Sequence, residues 1–420
     1  MSQARGRRQS ERNQIGLFRK RSTTLRDVSG PGRTLRSAGL FAGIGGLELG
    51  LARAGHQTSL LCEIDRAARA VLQARFPGVP LAEDVRLLDS LPSGTDLLVA
   101  GFPCQDLSQA GRTAGIEGSR SGLVGEVFRL IAKQRIPHVL LENVPFMLQL
   151  SQGRALEVIV ASLESLGYRW AYRVVDTRAF GLPQRRERIF LLASLEEDPR
   201  RVLFADDAGE PAALEGTHRA VACGFYWTEG IRGLGWAVDA VPTLKGGSTI
   251  GIPSPPAIVF PSGLVGKPDV RDAERMQGFV ADWTQPAESV VRAGHRWHLV
   301  GNAVTVDVAT WIGERLARPG DYDAIGDRTL APGNPWPRAA WNLGQGRFAA
   351  DVSAWPEQRP RTHLQEFLKF PVAPLSPKAT AGFLARTATS SLRFPAGFLD
   401  DVRRHLERMQ EEPTETAAAL

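Results

Sequence analysis

The chain has 420 residues, of which 43% are hydrophobic and 23% charged, a composition that fits two or three soluble globular domains and excludes wholesale disorder. No apolar run is long enough to span a membrane, so no membrane partner is expected. Three cysteines, Cys62, Cys104 and Cys223, are too few and too scattered for a disulfide framework or a zinc ribbon, and the formal charge of +6 suits a polyanionic partner without identifying one.

The opening segment, residues 1–34, is dense in arginine (Arg5, Arg7, Arg8, Arg12) and lacks both hydrophobic periodicity and the apolar core of a secretory signal. It reads as a flexible basic arm on a protein expected in the cytoplasm. Residues 35–194 then alternate short apolar runs with amphipathic stretches. LRSAGLF, SLLCEI, DLLVAGF, HVLLENV and RIFLLAS predict buried strands, and AARAVLQARF and LVGEVFRLIAKQ predict helices. That pattern is α/β, a parallel sheet with helices on both faces.

The first strand runs into Phe41-Ala-Gly-Ile-Gly-Gly46, where glycine permits a tight turn and close backbone approach to a ligand. Taken alone such a turn serves packing as readily as binding. Glu63 ends the next strand, where a carboxylate can take both hydroxyls of a ribose, and Asp84 follows a third strand candidate. The glycines and acids together favour an adenosine ligand. No Walker lysine follows, so a phosphate site is not implied.

DLLVAGFPCQ delivers Cys104 from a strand end into a loop holding Gly111, Gly115, Gly118 and Gly122. Most cysteines are small buried hydrophobes, but a thiol at the carboxyl end of a sheet strand beside a ligand crevice is placed for chemistry. Glu142 and Asn143 emerge at the end of HVLL, near the same crevice. A carboxyl kept protonated there by desolvation can donate to a ring nitrogen, whereas the structural alternative is a helix cap before Pro145. In GLPQRRERIF, strand alternation sends Arg186 and Arg188 to one side, toward a base carbonyl or a phosphate, or simply onto a solvated face.

Regularity breaks over 195–267 into Gly, Pro and aromatic residues, which reads as a smaller loop-rich domain. Residues 268–318 return to helical patterning and are expected to complete the first domain. Residues 319–420 form an extension of unassigned role.

From Leu35 to Leu316 the ordered motifs FAGIGG, GFPCQ, ENV, QRRERIF, VRDAERMQGF and GNAV resemble those of the cytosine-C5 DNA methyltransferase family. The resemblance implies a Rossmann-like methyltransferase sheet with a separate target-recognition domain, S-adenosylmethionine as methyl donor, no metal, and double-stranded DNA as partner. It implies cofactor contacts from Phe41, Gly43, Gly45, Glu63, Ile64, Asp84 and Asn302. Catalytic roles fall to Cys104, Glu142, Arg186 and Arg188, and DNA contacts to Gln105, Ser108, Thr243 and Leu244. The chain departs from the family pattern at Trp297-His298-Leu299, where an aromatic-Lys-Gln sequence is frequent, at Thr305, where proline is frequent, and at Val124-Gly125.

The chemistry explains these residue types. Carbon 5 of cytosine becomes nucleophilic only after a thiolate adds at carbon 6, and carbon 6 is reached only when the base leaves the stack. Segment 105–122 is expected to close over that base. The family further implies a cognate restriction endonuclease or defence system and a place on the bacterial nucleoid. A tRNA cytosine methyltransferase, a catalytically silent DNA-binding protein and an NAD-dependent oxidoreductase are the alternatives; the last predicts GxGxxG where the chain has FAGIGG.

Overall fold

The computed structural model describes residues 32–102, 122–212, 219–247 and 253–411. Strands covered on both faces need consecutive apolar residues, and LLVAG meets this with its first four residues buried. Accordingly β1 (Arg36–Leu40), β2 (Gln57–Cys62), β3 (Leu81–Ala82), β4 (Leu97–Gly101) and β5 (His138–Asn143) pair in parallel. The helices α1 (Gly46–Arg53), α2 (Arg66–Arg75) and α3 (Leu123–Gln134) lie between them in sequence, and α4 (Arg154–Ser165) follows β5. Asp65 starts α2 by accepting from Ala68 N at 2.7 Å, a cap that contributes about 1 kcal/mol.

The expected all-parallel sheet is corrected at RIFLLAS. This segment forms β8 (Glu187–Ser194), which runs antiparallel to both β5 and a strand the sequence did not announce, β6 (Arg169–Asp176). Only a 3-10 turn and the two-residue β7 (Gln184–Arg185) separate β6 from β8. A parallel return needs a crossover of a dozen residues or more, so the chain comes back antiparallel.

Residues 195–267 hold β9 (Cys223–Phe225), β10 (Trp236–Val238), β11 (Val241–Pro242), β12 (Ala257–Val259) and β13 (Val265–Lys267). Beyond them come α5 (Val270–Met276), α6 (Arg296–Asn302) and α7 (Val306–Ala317), whose Val308, Ala309 and Ile312 share a core with Leu47 and Leu51 of α1.

The segment after 318 extends both sheets. β14 (Arg328–Thr329), β15 (Ala339–Asn342) and β16 (Arg347–Ala349) continue the large sheet, giving the order β14-β16-β15-β6-β8-β5-β4-β1-β2-β3 among the described residues. β17 (Ala373–Pro374) closes the smaller antiparallel sheet, ordered β10-β9-β12-β13-β17. Helices α8 (Pro377–Thr387) and α9 (Phe398–Glu411) bring Phe383 and Phe398 onto Phe225, with ring centroids at 4.6 and 5.4 Å. All three rings are fully buried, each contributing roughly 2–3 kcal/mol of apolar burial. No helix among the described residues is long and apolar enough to cross a membrane.

Candidate active site

At the carboxyl ends of β1, β2, β4 and β5 lies a cavity of about 510 Å³, the size of a small-molecule site. Phe41 and Gly43 both adopt φ 55°, and Gly45 adopts φ 84°. A left-handed phenylalanine is strained, and such strain persists where the surrounding structure holds it, often at binding sites. Gly43 N donates to Glu63 Oε2 at 2.7 Å and Asp65 N donates to Glu63 Oε1 at 2.8 Å, so the glycine turn and the second strand end share one carboxylate. Burial pushes Glu63 up against these bonds. Asp84 stands at the rim with its carboxylate taken by Arg86 Nε and Nη2, which holds it below the usual range. Ile64, 63% exposed, presents an apolar wall to the same cavity.

Phe41, Gly43, Glu63, Ile64, Asp84 and Asn302 all line the cavity. Gly45 does not. It caps α1 from behind, where a Cβ would lie 2.3 Å from the ring of Phe76, so its role is the turn rather than the ligand.

Glu142 faces the cavity from the end of β5, its Oε1 3.1 Å from Arg188 Nε. Burial raises the carboxyl above its ordinary range, against the pull of Arg188 and Arg186. Gly101, its partner on β4, leaves room, since a Cβ there would sit 3.3 Å from Glu142 Oε2. Asn143, which sequence reasoning left without a role, donates through Nδ2 to Phe102 O at 3.0 Å and accepts from Val144 N. It fixes the last described residue before the Pro103-Cys104 step. Cys104, Gln105 and Ser108 lie outside the described residues.

Arg186 lines the same cavity and is also a buried tether. Its Nη1 donates to Leu244 O at 3.0 Å and Gly301 O at 3.2 Å, and its Nη2 to Gly301 O and to Ala303 O at 2.6 Å. Nε is buried without a hydrogen-bond partner among the described residues. These carbonyls belong to the segment after β11 and to the end of α6, so one guanidinium joins both to the large sheet. Arg186→Met is expected to lower the unfolding free energy by roughly 2–4 kcal/mol, because several buried carbonyls lose their donors together. A urea midpoint shifted by the equivalent of less than about 0.5 kcal/mol would contradict the tether.

Leu244 is 2% exposed in a core with Val241, Ile258, Met276 and Val300. Thr243, partly exposed, donates through Oγ1 to Arg185 O at 2.8 Å. Thr305 shares its hydroxyl with Gln277 Oε1 and Thr177 Oγ1, bonds that the proline frequent in the family at this position has no hydroxyl to make. Among the described residues no group of three or more His, Cys, Asp or Glu is placed to hold a metal.

The model of the C-5 cytosine-specific DNA methylase family matches residues 35–214. The chain is 47% identical over 391 residues to the Type II methyltransferase M2.BsuMI of Bacillus subtilis (strain 168), covering 90% of this chain and 100% of that one. The chain belongs to the C-5 cytosine-specific DNA methylase family. This methylase is also 33% identical over 177 residues to the Type II methyltransferase M.MspI of Moraxella sp, covering 41% of this chain and 42% of that one. The solved S. pombe Dnmt2 methyltransferase covers 67% of this chain and 98% of its own at 16% identity and a TM-score of 0.48. As a DNA cytosine-C5 methyltransferase, the enzyme takes duplex DNA as substrate, and its family implies S-adenosylmethionine as methyl donor. The tRNA and silent-protein alternatives are not favoured.

Proposed function

We infer that the methylase acts on a flipped cytosine through Cys104, Glu142 and Arg188, at a specific sequence that its smaller domain reads. The Glu142–Arg188 pair in the same cavity as Glu63, Ile64 and Asp84 supports this reading. The residues suit S-adenosylmethionine. Glu63 keeps unused lone pairs for ribose hydroxyls, Ile64 offers an apolar face for a flat ring, and Asn302 presents an amide to the cavity. When bound, the cofactor supplies a methyl group carried on a sulfonium centre.

The chain's own residues prepare the base. The Cys104 thiolate adds to carbon 6, forming the C–S bond and pushing electron density into the ring toward carbon 5. Glu142, whose carboxyl burial raises, donates in its protonated form to N3 and stabilises the adduct. Arg188 holds the carbonyl oxygen at position 2, and the Nε–H of buried Arg186, without a partner among the described residues, is the donor left to orient the thiolate. Loss of the carbon 5 proton then expels Cys104 as thiolate and restores the aromatic ring.

The Type II names of the relatives support pairing with a restriction endonuclease, and hence work on the chromosome in the cytoplasm. Transfer of labelled methyl to duplex DNA, followed by base mapping, tests the reading. Label at carbon 5 of cytosine in one recurring sequence is the expected result; label in tRNA and none in DNA would overturn it.

A further inference from the structure

The recognition region reaches the cofactor cavity through one side chain that neither the catalytic chemistry nor the family pattern uses. His298, on α6, stands where lysine is frequent in the family and lines the cavity. Its Nδ1 meets Gly246 O, and its Nε2 meets Asn302 Nδ2 at 3.1 Å. A carbonyl can only accept, so Nδ1 carries the proton and Nε2 accepts from the amide. That pair of bonds orients Asn302.

Gly246 is itself tightly placed. A Cβ on it would sit 2.4 Å from Asn302 Oδ1, and a Cβ on Gly301 would lie 2.1 Å from the carbonyl carbon of Lys245. The peptide linking Lys245 to Gly246 therefore rests directly on the end of α6. Lys245 in turn is held by the smaller domain, its Nζ 3.3 Å from Glu229 and 4.0 Å from the ring centre of Tyr226.

We propose that His298 is a positioning residue coupling the DNA-reading domain to cofactor binding: displacement of Lys245 and Gly246 on DNA shifts His298, and His298 reorients the Asn302 amide. This rests on the reading of Asn302 as a cofactor contact. Coupling is reciprocal, so DNA and cofactor each change the other's affinity by the same factor.

The test is calorimetric titration of the full chain with S-adenosylhomocysteine, with and without a duplex carrying the mapped target. In the wild type the duplex is expected to change the affinity by about fivefold or more. In His298→Phe the cofactor product alone binds roughly tenfold more weakly, and the duplex effect falls to within about twofold of none. His298→Gln keeps both a donor and an acceptor on its carboxamide, so it is expected to recover the affinity and part of the coupling. Gly246→Ala crowds Asn302 and weakens binding with His298 intact. Wild-type coupling in His298→Phe, or no coupling in the wild type, overturns the proposal. Failure of the wild type to bind the compound at all refutes the cofactor reading instead.

Discussion

Cys104→Ser is expected to reduce single-turnover methyl transfer by about three orders of magnitude or more, while changing the affinity for S-adenosylhomocysteine by less than about twofold. Addition to carbon 6 requires an anionic, polarisable nucleophile that later leaves, and a serine hydroxyl is neither ionised near neutral pH nor soft. No other thiol can take over. Cys62 and Cys223 are buried, and burial pushes their thiols up to about 12 and about 11. Residual transfer within tenfold of wild type would remove Cys104 from the mechanism.

Glu142→Gln is expected to slow the same step by roughly 10²–10⁴-fold, the usual range for losing a positioned proton donor. The pH profile carries the more specific signature. Because burial raises Glu142 above an ordinary carboxyl, its donating, protonated form persists below that raised value and is lost as pH climbs through it. The wild-type rate should therefore fall on the alkaline side, while glutamine, which does not titrate, should remove that fall. An unchanged alkaline limb in the variant would assign it to another group.

Much of this arrangement was legible in the sequence because its signals are local. Parallel strands buried on both faces advertise themselves as apolar runs, and their carboxyl ends face one crevice, so the gathering of Glu63, Asp84 and Glu142 around one cavity was legible from strand ends alone. β6 was not, because RWAYRVVD puts a charged residue in its middle. Arg173 is fully buried there, and its guanidinium is satisfied by Ser353 O, Leu203 O, Asp206 O and Asp207. No local pattern announces partners so distant in the chain.

The same limit explains Arg186 and Leu244. Alternation sends Arg186 toward the cavity side, but whether it meets phosphate or carbonyls depends on segments 58 and 115 residues away in the chain. His298 was visible only as a departure from a pattern. Its role follows from Gly246, whose carbonyl it meets across the fold.

The smaller sheet takes its last strand, β17, and its covering helices from the far end of the chain. Moving this smaller sheet into another scaffold is then a two-piece operation. A graft of residues 195–267 alone would arrive without the partner of β13 and without the helices that shield Phe225, Val259 and Val265. Any such transfer must carry residues 373–411 along with it, or rebuild that cover to match.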